Sequence, residues 1–207
     1  MIWILLSIVL IGLLLDLYLP IKKDFRRFDP VVTGQLDEMM WRSYYEKKPV
    51  KLFFQLTKLM RSQFGAPLVR SFVMAYRSAK AAFIFKNGTN RAQYEKAFPD
   101  LKKYFTHINA LSKEHFDVDQ MTHDELEWWI IRRERDQHPP SDWSTILQKE
   151  LANMYHMPME TFKPHADLRV EAMVYRDNKG DQITQSDWDK IQNMCIDAWT
   201  LLYKAVN

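Results

Sequence analysis

The first nineteen residues constrain this chain more than any other stretch. Met1 to Leu15 carry no charged side chain, and only Ser7 and Gly12 interrupt the bulky apolar run. Asp16 follows, then Leu17, Tyr18, Leu19 and Pro20. A bilayer core takes roughly 20 helical residues at 1.5 Å each, with a lower end near 17. Residues 1–19 therefore read as a single N-terminal transmembrane helix, with Asp16 near a headgroup layer and Tyr18 and Trp3 at the two interfaces. A cleaved signal peptide is the competing reading. It wants a basic n-region and a small-residue cleavage site, and neither stands here. A buried core helix is a third.

The flanks set an orientation. Lys22, Lys23, Arg26 and Arg27 follow the run and no basic side chain precedes it, so the positive-inside rule places the C-terminal body on the cytoplasmic side. The lone Cys195 is compatible with a reducing compartment. Asn87-Gly88-Thr89 matches the N-glycosylation sequon, and Asn-Gly reads here as a turn.

Composition removes several classes. With 7 Trp, 9 Tyr and 12 Phe in 207 residues, the chain is too rich in aromatics to be disordered. One cysteine excludes a disulfide scaffold and any multi-cysteine zinc module. Five glycines are too few for a phosphate-binding loop plus the tight turns of a sheet.

After a basic juxtamembrane linker at 20–34, punctuated by Pro20, Pro30 and Gly34, residues 35–207 read as one all-α bundle of about eight helices. The expected segments are 35–47, 49–64, 67–86, 89–98 and 99–115, then one from a Thr122–Glu125 capping box to about 136. Others start at Ser141, at Pro164 and at a Thr184/Asp187 cap. In 49–64, Leu52, Phe53, Leu56, Leu59, Met60 and Phe64 recur at helical spacing. Ser71, Ala75, Ser78 and Ala82 form a stripe of small residues that lets another helix approach closely.

The net charge of +3 conceals a segregation. Residues 1–41 hold four basic and five acidic side chains, 42–103 fourteen and three, and 104–207 eleven and eighteen. Three readings follow. Basic helices can pack on acidic ones and cancel, the basic segment can face an anionic leaflet, or it can bind nucleic acid. The last is not expected, because no nucleic-acid-binding signature is present.

Catalytic motifs are mostly excluded. None of the six histidines has an acidic residue three positions before it, as a di-iron bundle requires, and His-Glu-x-x-His is absent. His107, Glu114, His115, His123, Glu125 and Glu127 can meet a metal only through tertiary structure, and Glu125 is already accounted for by the capping box. Asp177–Thr184 has the wrong register for a calcium loop and reads as a helix end followed by an N-cap. Cys195 lies on an apolar stripe, where a thiol is inert. No catalytic residue, metal or cofactor is expected.

The densest unusual stretch is 125–135. Trp128 and Arg132, and Trp129 and Arg133, are i, i+4 neighbours. One reading makes this the central helix of the bundle. A second offers Trp128, Trp129, Arg132, Arg133 and Arg135 as a partner-protein face, since Trp and Arg favour interface hot spots. A third is an interfacial membrane helix, which the two Glu ahead of the tryptophans disfavour at an anionic surface. The functional expectation is a non-catalytic, membrane-tethered interaction protein: a scaffold or an accessory subunit of a membrane complex. One alternative is a membrane-bound enzyme or metal or cofactor binder with an inter-helix His/carboxylate site. Another is a peripheral domain that contacts anionic lipid.

Overall fold

The computed structural model describes residues 2–207, apart from the Val9 side chain. Ten α-helices run through them: α1 Ile2–Tyr18, α2 Pro30–Tyr45, α3 Pro49–Phe64, α4 Leu68–Asn87, α5 Arg91–Tyr94, α6 Phe98–Leu111, α7 Val118–Arg133, α8 Pro140–Tyr155, α9 Lys163–Lys179 and α10 Gln185–Val206. Three short 3-10 turns connect some of them. No strand forms among the described residues, and one isolated parallel bridge joins Lys23 to Ser112.

The body is a closed circuit of helices. From α2 through α3, α4, α6, α7, α8 and α9 to α10, each long helix packs on the next, and α10 returns to pack on α2. The circuit encloses a core that includes Leu36, Met60, Met74, Leu101, Ile108, Met121, Ile130 and Leu202, all buried. Phe162, fully buried between α8 and α9, fills the same core.

The segment expected as a linker is part of this body. The Lys23 N–H donates to the Leu111 carbonyl at 2.6 Å, and the Lys113 N–H donates to the Lys23 carbonyl at 2.9 Å. Phe25 and Phe28 are buried, Phe25 edge-on to Phe64 and Phe28 edge-on to Trp199. Helix α2 begins at Pro30, five residues before the expected start. Asp29 caps it by accepting from the Val31 and Val32 N–H groups, and Pro30 suits the first turn because its missing N–H costs nothing there. Val31, Val32 and Thr33 give up a few tenths of a kcal/mol each in helix propensity. Packing outweighs that deficit: Thr33 and Gly34 are buried.

The second correction concerns α7. The expected capping box at Thr122–Glu125 lies inside the helix, which starts at Val118 with Asp117 as its cap, accepting from the Asp119 and Gln120 N–H groups. Thr122 Oγ1 instead donates to the Val118 carbonyl. Glu125 is thereby freed for another role. The Thr184/Asp187 capping box of α10 forms as expected, and Gly65 ends α3 in the left-handed region at φ 61°.

The apolar N-terminus forms a helix, α1, over 17 residues. At 1.5 Å per residue it is about 25 Å long, against a hydrocarbon core of about 30 Å. No helix among the described residues is long and apolar enough to cross a membrane. Nor is α1 a core helix, since every described residue from Ile2 to Leu15 is exposed.

Gly34 marks the closest helix contact. A Cβ there would lie 2.5 Å from Ile196 Cα, in the backbone of α10. Gly34→Ala is therefore expected to force α2 and α10 apart and cost about 1–3 kcal/mol, read from urea denaturation. Gly12→Ala, which meets nothing within 4 Å, is the neutral control.

Candidate functional site

Two features stand out: the exposed helix α1 with its attachment to the body, and a pair of carboxyl groups enclosed between α7 and α8.

Helix α1 is apolar all round, with eleven large apolar residues exposed between Ile2 and Leu15. Leaving a large apolar side chain in water forgoes about 1.5–3 kcal/mol, so the set represents tens of kcal/mol of unrealised burial. The base of the helix is fixed. Asp16 Oδ1 accepts from the Arg70 N–H at 3.0 Å, in the first turn of α4, whose own N-cap Pro67 offers no side-chain acceptor. In return the Arg70 guanidinium donates to the carbonyls of Asp16 and Leu19 at 3.0 and 2.8 Å, at the C-terminal end of α1. Each helix thus supplies the cap the other lacks. The signs also suit the helix dipoles, carboxylate at an N-terminus and guanidinium at a C-terminus. Arg70 is only 4% exposed.

Glu125 on α7 and Glu150 on α8 lie within hydrogen-bonding reach of each other. Glu125 also accepts from Trp129 Nε1 at 2.7 Å. Glu150 Oε1 is occluded and meets no donor from the surrounding side chains. Burial, and then the neighbouring Glu125, push the Glu150 carboxyl well above the usual range. Burial also raises Glu125, against the pull of Trp129. The Tyr104 hydroxyl beside them is raised by burial first and then by the two carboxylates. Nothing in the sequence spacing points to this pair, because its members lie on different helices and Glu125 sits where a capping box would use it.

The other candidate residues are dispersed. His115 is exposed, its ring between Lys22 and Asn109. His123 stacks on Phe98 at 4.7 Å in an open groove of about 380 Å³ that Glu127 also lines. Glu127 pairs with Arg91, and Glu114 with Arg26 at 2.6 Å. His107 is held below its usual range by burial, then by Arg70 and Arg77. Among the described residues no three His, Cys, Asp or Glu side chains gather as metal ligands. The Asp177–Thr184 stretch is a helix end: Asp177 pairs with Arg132, and Gly180 turns the chain at φ 52°.

Most of the Trp/Arg stretch is used inside the molecule. The Arg132 guanidinium lies 4.3 Å over the Trp143 ring and 5.9 Å from Trp128, and pairs with Asp177 at 2.9 Å. The Arg133 guanidinium lies over Phe85 and donates to the carbonyls of Phe85 and Gly88, so it caps the end of α4. Trp129 packs edge-on against Phe85, and Trp128 packs against the cluster of Ile131, Trp143 and Val170. Arg133 and Arg135 are both exposed, and Arg135 lies beyond the end of α7. Of the basic flank, Lys22 meets His115 and Arg26 meets Glu114 and the Tyr155 carbonyl, while Arg27 is largely exposed beside Asp24.

The chain is thus an all-α protein with an exposed apolar helix joined at its base to a helical body. No family model matches the chain, and no curated protein or solved structure matches it.

Buried His165 and the Glu125–Glu150 pair should pull stability in opposite directions as pH changes. His165, its Nδ1 on the Ala198 carbonyl, is pushed down to about 3 by burial and then by Arg169. It stays neutral in the fold while the unfolded chain protonates, so stability is lost as pH falls from about 6.5 toward 3. The Glu125–Glu150 pair acts in the opposite sense. The fold keeps a proton that the unfolded chain releases, so stability falls as pH rises from the ordinary carboxylate range to the raised value. Glu150→Gln is expected to flatten only the upper limb, by up to about 1.4 kcal/mol per pH unit, measured by urea denaturation across pH.

Proposed function

We propose that the chain is a non-catalytic, membrane-tethered helical interaction protein, a scaffold or accessory subunit of a membrane complex. The observation that carries the tether is α1, an exposed helix with no polar face, locked at its base to α4 through Asp16 and Arg70. An amphipathic helix would lie at the interface, whereas one that is apolar all round belongs in hydrocarbon. Its shortfall of about 5 Å against the bilayer core is within what local thinning accommodates, at a fraction of a kcal/mol per Å. Asp16, the only charged residue of the helix, stands at its C-terminal end and is engaged by α4. We read α1 as a short single-pass anchor with the body on the cytoplasmic side, next to Lys22, Lys23, Arg26 and Arg27.

The non-catalytic side of the proposal is supported by where the chemistry-bearing side chains are used. Cys195 and His165 are buried in packing, and Arg132 and Arg133 lie over the Trp143 and Phe85 rings.

The full chain is expected to float with phospholipid vesicles and to resist alkaline carbonate extraction. A variant lacking residues 2–15 should stay in the aqueous phase with an unchanged circular dichroism signal per body residue. Recovery of the full chain in the carbonate supernatant would overturn the anchor. A full chain that purifies from its own membranes in mild detergent as a lone polypeptide would count against the complex.

The Glu125–Glu150 pair favours a second reading, a metal or cofactor binder with an inter-helix carboxylate site. Stoichiometric metal in the natively purified protein, lost in Glu150→Gln, is its signature; metal-free protein of normal stability ends it.

A further inference from the structure

Helices α3 and α4 leave an outer face that the body does not cover. On α3, Val50, Lys51, Phe54, Lys58 and Arg61 are all exposed. At 100° per residue they fall within a sector about 100° wide. On α4, Leu68, Tyr76, Phe83 and Lys86 are exposed and share one stripe with half-buried Phe72. The two faces are continuous, because the Phe54 ring meets Phe72 edge-on at 6.1 Å. Phe54 is 56% exposed and Phe83 67%, high values for side chains that water rejects. Lys47, in the turn before α3, adds another exposed cation.

The charge on this face is not neutralised by the acidic half of the chain. Arg42 and Lys48 share Glu46, and Arg77 and Lys80 share Asp100, all within the basic segment. Only Arg91, on Glu127, and Lys102, on Asp119, reach across to the acidic half. Among the described residues, Lys47, Lys51, Lys58, Arg61 and Lys86 form no ion pair.

The face is also continuous with the anchor. Leu68 opens its α4 stripe two residues before Arg70, the residue that grips the end of α1. A Cβ at Gly65, between α3 and α4, would touch the Lys23 side chain, so the hairpin tip and the chain leaving α1 are in contact.

We propose that this α3–α4 face docks on an anionic phospholipid surface, with Phe54, Phe72, Tyr76 and Phe83 at headgroup depth and Lys47, Lys51, Lys58, Arg61 and Lys86 on the lipid phosphates and carboxylates. Aromatic rings favour that depth. Lysine stems lie along apolar surface while their ammonium groups stay in the polar layer, and juxtamembrane cations are drawn to acidic leaflets. A protein partner would also accept exposed aromatics. What favours lipid is that unpaired cations flank them on a surface tethered beside a bilayer. The inference rests on the anchor proposed above.

The test uses the full chain carrying an environment-sensitive fluorophore on Phe83→Cys; Cys195 is buried and stays unlabelled. The protein is reconstituted into vesicles of phosphatidylcholine, with or without phosphatidylserine, and probed with acrylamide, a neutral quencher. The expected result is a blue shift and loss of quenching only with phosphatidylserine. Both should revert as salt is raised from about 0.1 M to 1 M, where the Debye length shrinks from ~10 to ~3 Å. The variant Lys51→Glu/Lys58→Glu/Arg61→Glu, its fold checked by circular dichroism, should abolish the shift while still floating with the vesicles. Flotation with an unshifted, fully quenched label overturns the docking face and leaves the anchor standing. Protection that is equal in both lipids and insensitive to salt also overturns it, in favour of an apolar occupant such as a second copy. Failure to float at all sinks the anchor reading itself.

Discussion

The exchange of caps between Asp16 and Arg70 is the interaction that gives the N-terminal helix a defined relation to the rest of the molecule. Both helix ends carry backbone groups with no intrahelical partner. At the base of α1, the Arg70 guanidinium donates to two carbonyls; at the start of α4, Asp16 accepts from an N–H that Pro67 leaves uncapped. A buried guanidinium without such partners is strongly destabilising, so the two helix ends require each other. Without this joint α1 would be an apolar segment on a tether; with it, the direction of α1 is set by its contact with α4, and the α3–α4 face begins beside the end of α1.

The closed circuit of helices depends on a second buried charge. Asp37 on α2 accepts from Trp199 Nε1 on α10 at 2.9 Å and pairs with Arg169 on α9 at 3.0 Å. The Arg169 guanidinium lies near both the Trp41 and Trp199 rings. These contacts join the first, last and second-to-last helices of the circuit, beside the tight crossing that Gly34 permits. Breaking a buried pair by removing one partner is costly because the other charge is left uncompensated. The pair therefore specifies how the circuit closes as much as it stabilises it. Helix α7 plays the corresponding part across the body, its two tryptophans facing different clusters and its arginines tied to α4 and α9.

Two buried acids, Glu125 and Glu150, stand apart from this logic of compensation. Among the described residues no cation pairs with them directly, and burial raises both carboxyls above the usual range. Charge elsewhere is arranged by segment. The basic stretch satisfies its few acidic members internally and leaves a row of cations outward, while Asp177 and Asp187 of the acidic stretch, with Asp37 of α2, pair with the arginines and lysine that hold α9 and α10.

Much of the fold was legible in the sequence because it rests on local physics. The apolar terminus, the all-helical class, the break at Gly65, the start of α3 at Pro49 and the Thr184/Asp187 cap follow from side chains within a few residues of the backbone they control. The failures share one cause, competition between a local signal and a distant partner. Thr122 to Glu125 has the letters of a capping box, yet Asp117 caps the helix and burial claims Glu125. Val31, Val32, Thr33 and Gly34 look unhelical, yet α10 packs against them and needs the glycine. Trp128, Trp129, Arg132 and Arg133 look like an interface, and they make contacts with Phe85, Trp143 and Asp177 that only the tertiary structure brings near. The carboxyl pair, the lock between Asp16 and Arg70, and the shared face of α3 and α4 all join residues from separate segments. Chain closure over such separations is decided by the packing of whole helices, which no local pattern encodes.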